Sequence, residues 1–207
     1  MSIPKQFDFT LYQGASLQLP VRWESDTIEY RAISAISKSA PVVITSTGHG
    51  IPNGWWVTIT SVKGMTQINT RNNPPRDADY QQATVLNSDN IALNKTNSLE
   101  YSTYTSGGVI QFNAPVDLTG FSARMAIRAR RGDTDVIDMI TSTDPRLGDT
   151  GIVIDTLDKI INLKLAATVT DDYTFKTAVY DLEMVSSGGD VYRILEGTIT
   201  LSREVTR

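Results

Sequence analysis

The sequence predicts an all-β protein in which a host β domain is interrupted by a second, smaller β domain. Three observations carry this expectation. Apolar and polar residues alternate with period two through most of the chain. Clusters of Gly, Pro, Asn, Asp and Ser separate the alternating runs. The density of charged side chains falls sharply in the middle of the chain and recovers afterwards.

The first run, "FDFTLYQGASLQLPVRW", reads as two short strands. Phe7, Phe9 and Leu11 alternate with polar residues, a turn follows at Gly14, and Leu17, Leu19 and Val21 resume the alternation toward Trp23, which is expected in the host core. Residues 33–110 then hold nine charged side chains in 78 positions, against 33 in the other 129. That segment is rich in Thr, Ser, Asn and Gly, as short strands joined by tight turns require. Its interior stretch "NTRNNPPRDADY" is a loop, because two prolines exclude a central strand. Residues 33–110 are therefore expected to form the inserted small β domain, and residues 1–32 with 111–207 the host.

Beyond the insertion, "FSARMAIRARRGD" places Met125, Ile127 and Ala129 on one face and Arg124, Arg128 and Arg130 on the other. "GIVIDTLDKIINLKL" reads as a hairpin about Asp158 and Lys159, with Ile161, Leu163 and Leu165 inward. A single short helix is expected within residues 166–173. "AVYDLEMVSSGGDVYRILEGTITL" is the clearest hairpin: Tyr180, Leu182 and Met184 alternate with acids, and Ser-Ser-Gly-Gly-Asp forms the tip.

Composition bounds the chemistry. The 207 residues suffice for one large or two modest β domains, each with a real core. A formal net charge of -4 supplies no basic field for nonspecific nucleic-acid binding. The absence of cysteine excludes disulfides, thiolate nucleophiles and cysteine metal sites, and fits assembly in a reducing cytoplasm. No apolar run approaches a signal peptide or a membrane span, so a soluble, unanchored protein is expected.

His49, the chain's one histidine, lies in "STGHGIPNGWW". A catalytic or metal-ligating role needs partners, yet no second histidine exists and no acid lies between Glu29 and Asp77. Its flanking glycines read as turn chemistry, and His49→Ala is expected to alter stability slightly and nothing else. Trp55 and Trp56 face opposite sides of a strand, so one is expected in the core and the other at an interface, or as a platform for sugar rings together with Tyr80, Tyr101 and Tyr104.

The arginine group Arg124, Arg128, Arg130 and Arg131 reads as a solvated strand face balanced by Asp133, Asp135 and Asp138, with a subunit interface or an acidic partner as alternatives. The acidic pairs Asp77–Asp79, Asp155–Asp158 and Asp171–Asp172 lack calcium-loop spacing. Neither a G-x-S-x-G elbow nor a phosphate-binding Gly-rich loop is present. The expectation is no enzyme, no cofactor and no metal.

Two stretches carry a resemblance. "AISAISKSAPVVITSTGHGIPNGWWVTITSVKGMTQIN" with "TVLNSDNIALNKTNSLEYSTYTSGGVI" resembles a small β module of bacteriophage tail and virion proteins. That module is known by its likeness to the first catalytic-cysteine half-domain of ubiquitin-activating enzyme. The likeness implies a small barrel-like shape and nothing catalytic, since no cysteine is present. "FDFTLYQGASLQLPVRW", "PVDLTGFSARMAIR" and "VYDLEMVSSGGDVYRILEGTITLSREVTR" resemble the small β-sandwich proteins of phage tail genes, similar to the N-terminal domain of baseplate upper proteins. In ordinary members the strand ending at the position of Trp23 reaches the "DLTG" segment, Asp117–Gly120 here, through a short turn. In this chain the 78-residue module occupies that turn.

The resemblance implies an Ig-like β-sandwich host domain carrying an inserted small β-barrel-like module. It further implies a non-enzymatic virion structural protein of the tail, neck or baseplate region, assembled in the host cytoplasm. Such a protein docks fibres or neighbouring subunits, in multiple symmetric copies, without membrane or nucleic acid. The interface candidates are Trp55, Trp56, Tyr101, Tyr104, Arg128 and Arg130. A receptor- or carbohydrate-binding module of the tail apparatus and a capsid decoration protein are the alternatives.

Overall fold

Among the residues described by the computed structural model, 4–146 and 150–205, the alternating runs form sixteen strands. In chain order these are β1 (Lys5–Gln6), β2 (Phe9–Tyr12), β3 (Leu17–Arg22), β4 (Glu24–Ala32), β5 (Ala35–Ile36), β6 (Val42–Thr45), β7 (Trp56–Lys63), β8 (Gln81–Asn87), β9 (Asn90–Leu93) and β10 (Ser106–Pro115). They continue with β11 (Ser122–Arg128), β12 (Asp138–Thr141), β13 (Gly151–Asp155), β14 (Ile160–Leu165), then helix α1 (Ala167–Asp171), β15 (Thr177–Val185) and β16 (Val191–Ser202). The chain divides into two units: residues 1–23 with 117–207, and residues 24–116.

The first unit is a β-sandwich. One sheet runs β1–β16–β15–β11–β12, with β2 also paired to β16, and the other runs β13–β14–β3. Their inward faces share one core that includes Met125, Ile127, Ile161, Leu163, Leu165, Leu182 and Met184. Burying each such side chain contributes roughly 1.5–3 kcal/mol. Period-two patterning is thus converted directly into a two-layer core.

The hairpin turns follow from their residues. Asp155 Oδ1 accepts the amides of Leu157 and Asp158, both at 2.9 Å, and Lys159 takes a left-handed φ of 54° to enter β14. At the β15–β16 tip, Ser186 Oγ accepts the Asp190 amide at 3.0 Å. Pro20 lies opposite Asn162 in the β14–β3 ladder. Having no N–H, it occupies a non-hydrogen-bonded pair, so its nitrogen faces the open edge and blunts β3 against further pairing.

Three expectations for this unit are corrected. Phe7 is exposed, because the first run breaks at Phe7–Asp8, between β1 and β2. There the chain is held to β16 by Phe7 N–H to Glu196 O and by the Thr198 amide to Asp8 Oδ1. Ala129 is exposed, because β11 ends at Arg128. Trp23 is not in the core: it is partly buried at the core's margin, packed edge-on to Phe121 at 5.5 Å and tilted against Tyr192 at 5.3 Å.

The second unit is a seven-stranded sheet of order β4–β10–β7–β8–β9–β6–β5. Its first and last members, β4 and β5, are successive parts of one segment, and the amides of Ile33 and Ser34 between them bond to Gly108 O and Thr45 O. The sheet therefore closes on itself into a barrel-like ring around Trp55, Ile59, Met65, Ile91, Leu93, Ile110 and Phe112, all essentially inaccessible to solvent.

The unit spans residues 24–116 rather than 33–110. β4 pairs with β10 from Ala32–Val109 to Glu24–Pro115, so the flanking residues belong to the ring. Charge density misplaced this boundary because β4 carries Glu24, Asp26, Glu29 and Arg31, as many charges as a host strand.

Candidate functional site

His49 is a structural residue of the ring. Gly48 and Gly50 take φ of 58° and 63°, which turns the chain sharply on both sides of it. The imidazole is buried; Nδ1 accepts the Ile51 amide at 3.0 Å, and Nε2 lies 3.0 Å from Asn87 O. These partners assign the proton to Nε2. The backbone adds to the knot: His49 N–H donates to Ser88 O, and Arg31 Nε donates to His49 O at 2.8 Å. The histidine ties the 46–51 loop to the β8–β9 turn. Its loss is therefore expected to cost more than the slight effect anticipated from sequence.

The adjacent tryptophans separate as strand geometry requires. Trp55 is fully buried and donates Nε1–H to Asn113 O at 2.8 Å, whereas Trp56 is 40% exposed. Register places Trp56 opposite Gln82 of β8. On the other side of β7 runs β10, whose Asn113 pairs with Ile28 of β4 and donates its side-chain amide to Glu24 Oε2 at 3.1 Å. A parallel outward row holds Tyr30, Gln111 and Thr58, and the Tyr80 hydroxyl accepts from Gln111 Nε2 at 3.0 Å across the buried Thr58. Neither row carries a charged side chain. Ile28, Tyr30, Trp56 and Gln82 are all exposed, giving an aromatic and amide face with the Glu24 carboxylate at its Asn113 end.

Tyr101 and Tyr104 do not join this face. Both pack, half-buried, against the ring's core, and the Tyr104 hydroxyl donates to Ile33 O and Gly107 O at 3.1 and 3.0 Å. The Tyr104 bonds fasten the segment before β10.

The arginine group lies on the outer face of the host sheet, around a shallow depression of about 560 Å³. Arg130 meets Asp133, as expected from sequence, but the other acid partners lie across the sheet rather than at Asp135 and Asp138. Arg124 meets Glu183 at 2.7 Å, its direct register partner. Arg131 meets Glu196 at 3.1 Å. Arg193, which sequence reasoning did not single out, bridges Asp181 at 3.1 Å and both Glu183 and Glu196 at 3.6 Å.

Arg128 holds the turn beyond β11, donating to the carbonyls of Asp133 and Thr134 at 2.7 and 2.8 Å. It is committed to the fold and is no free interface group. Arg130 is the most exposed of the group, with a long 3.8 Å contact to Asp133. Asp138 pairs elsewhere, with Arg146 at 3.1 Å and the Tyr173 hydroxyl at 2.7 Å.

Electrostatics in the depression follow these contacts. Burial holds the Asp181 carboxyl above its ordinary range, opposed by Arg193. Arg131 holds Glu196 below its ordinary range through their hydrogen bonds. The result is a lattice of mutually satisfied charges. Among the described residues, no group of three or more His, Asp or Glu is placed to hold a metal ion, and no helix is long and apolar enough to cross a membrane.

Ile28 and Tyr30 escaped sequence reasoning because β4 was assigned to the host, and Gln82 because only strand register sets it opposite Trp56. The signal was present in "TIEYRA", whose alternation puts Ile28 and Tyr30 on one side. No family model matches the chain, and no curated protein matches it in sequence.

Proposed function

We propose that this chain is a non-enzymatic structural adaptor of a bacteriophage virion, from the tail, neck or baseplate region, present in multiple symmetric copies. One observation supports this reading above others: a closed β ring with its own core is inserted, between Trp23 and Asp117, into a sandwich that also has its own core. Two self-sufficient cores in one chain supply two independent contact surfaces, which is what an adaptor requires. The resemblance of both parts to phage tail modules supports the same reading.

The host unit docks through the open edge formed by β1 and β2, which shows Phe7 and Tyr12 to solvent. A strand from a neighbouring subunit adds there by backbone pairing, and repetition around a symmetry axis multiplies weak contacts. The ring contributes side-chain contacts through the exposed face of Trp56.

Disruption of the gene in the phage or prophage that encodes it tests the proposal. Particles made without the chain are expected to lack fibres or a neighbouring tail component in negative-stain images, and complementation restores them. Complete, infectious particles lacking the chain would contradict the proposal.

A further inference from the structure

We infer that the side of β16 which receives β1 and β2 is an acceptor groove for the N-terminal segment of a second copy, so that neighbouring chains exchange residues 4–13. Such exchange is a property of the chain itself and does not depend on its belonging to a virion. The segment is set apart from the rest of its unit. Among the described residues, β1 and β2 are the strands that pair in parallel, both with β16 and with no other strand. The remaining ladders of the unit are antiparallel. Lifting the segment away therefore opens no other strand pairing.

The receiving surface is specific for this sequence. Gly197 leaves room for the Phe7 carbonyl, which a Cβ would meet at 2.1 Å, and the Tyr180 hydroxyl donates to that carbonyl at 2.7 Å. The Thr198 amide donates to Asp8 Oδ1 at 2.7 Å, and Phe9 packs edge-on to the Tyr180 ring at 5.3 Å. Leu11 enters the core. Each of these bonds joins the segment to β15 or β16, so a segment from another chain reproduces all of them. The occupant is selected in this way: the groove fits Phe7–Leu11, and a second copy carries that sequence.

A short hinge joins the segment to the rest of the chain. Gln13 ends the segment, with its N–H on Ser202 O at 2.9 Å and its side-chain amide on Asp171 O and Tyr173 O at 3.0 and 3.1 Å. Residues 14–16 then cross to β3, which lies in the other sheet. Their turn rests on one bond, Ala15 N–H to Tyr12 O at 3.1 Å, with Gly14 at a φ of 73°. Straightened, three residues span roughly 10 Å, which redirects the segment from its own sandwich toward one packed alongside. The contacts to β15 and β16 are the same in either arrangement, so the balance is set by this turn and by the local concentration of chains.

The test uses the full chain and exploits its lack of cysteine. Thr10 and Thr200 are register partners across β2 and β16, and both are exposed, so Thr10→Cys and Thr200→Cys leave the core intact. The two single variants are refolded together and oxidised. The expected result is a disulfide-linked pair of chains that a reductant releases, in clear excess over either variant alone, with light scattering giving at least twice the chain's 22.8 kDa. The double variant carrying both cysteines is expected to link between chains. A mass of one chain overturns the inference, as does a double variant whose bond closes within each chain. An oligomer that forms without the mixed disulfide overturns it in favour of a contact elsewhere on the surface.

Discussion

The carbonyl oxygen of Phe7 rests directly against Gly197, at a point where a Cβ would lie 2.1 Å away. The same carbonyl accepts the Tyr180 hydroxyl at 2.7 Å. Glycine is required here by close approach and not by a left-handed backbone. The N-terminal segment, which pairs with β16 on both sides of this point, thus passes directly over Gly197. Gly197→Ala is expected to lift residues 5–12 and lower stability by about 2–4 kcal/mol. Denaturant unfolding measures the loss, and limited proteolysis of the N-terminal segment shows where it falls.

His49→Ala removes a buried ring and leaves the Ile51 amide and the Asn87 carbonyl without their partners. The buried Ile51 amide left without a partner costs about 1–3 kcal/mol and the emptied ring site adds to it, so a total loss of about 2–4 kcal/mol is expected, confined to the ring. Hydrogen exchange at residues 46–51 and 87–89 is the direct readout. Host-unit amides are expected to keep their protection.

The two tryptophans separate stability from recognition. Trp55→Ala empties the centre of the ring core and is expected to cost about 3–5 kcal/mol. Trp56→Ala removes a half-exposed side chain and is expected to cost under about 1 kcal/mol. Equal losses from the two substitutions would contradict the strand-face assignment.

Acid sensitivity of the host unit centres on Asp144. Its carboxylate accepts Arg146 N–H at 2.8 Å, Nε at 2.9 Å and Nη2 at 2.8 Å, and the Arg146 guanidinium holds it below the usual carboxylate range. A depressed carboxyl contributes stability that is fully present above its unfolded pKa of about 4 and is lost as pH falls through the folded value. Asp144→Asn is expected to lower stability by about 1–3 kcal/mol at neutral pH and to flatten the decline below about pH 4. Chemical denaturation from pH 2 to 7 checks both.

Much of the fold was legible because a β-strand writes its burial into alternate residues. Met125, Ile127, Leu163, Leu182 and Met184 all face the core that their spacing implied. Closure of the ring was not legible in the same way, since it depends on β4 continuing into β5 and pairing at both ends, a long-range relation that leaves no local pattern. The face of Trp56 was half legible. Alternation showed that one tryptophan is exposed, but only register brings Gln82 opposite it. Arginine partners were misassigned for the same reason: Glu183 and Glu196 are distant in sequence and adjacent across the sheet.

The central claim is that two self-contained β units in one chain serve as an adaptor within a particle. A cryo-electron reconstruction of the virion whose genome carries this chain tests it most directly. The account predicts density for the sandwich in the tail, neck or baseplate region, repeated about the particle axis, with a neighbouring subunit against the Phe7–Tyr12 edge. A particle in which that region is fully occupied by other proteins, with this chain absent, would contradict it.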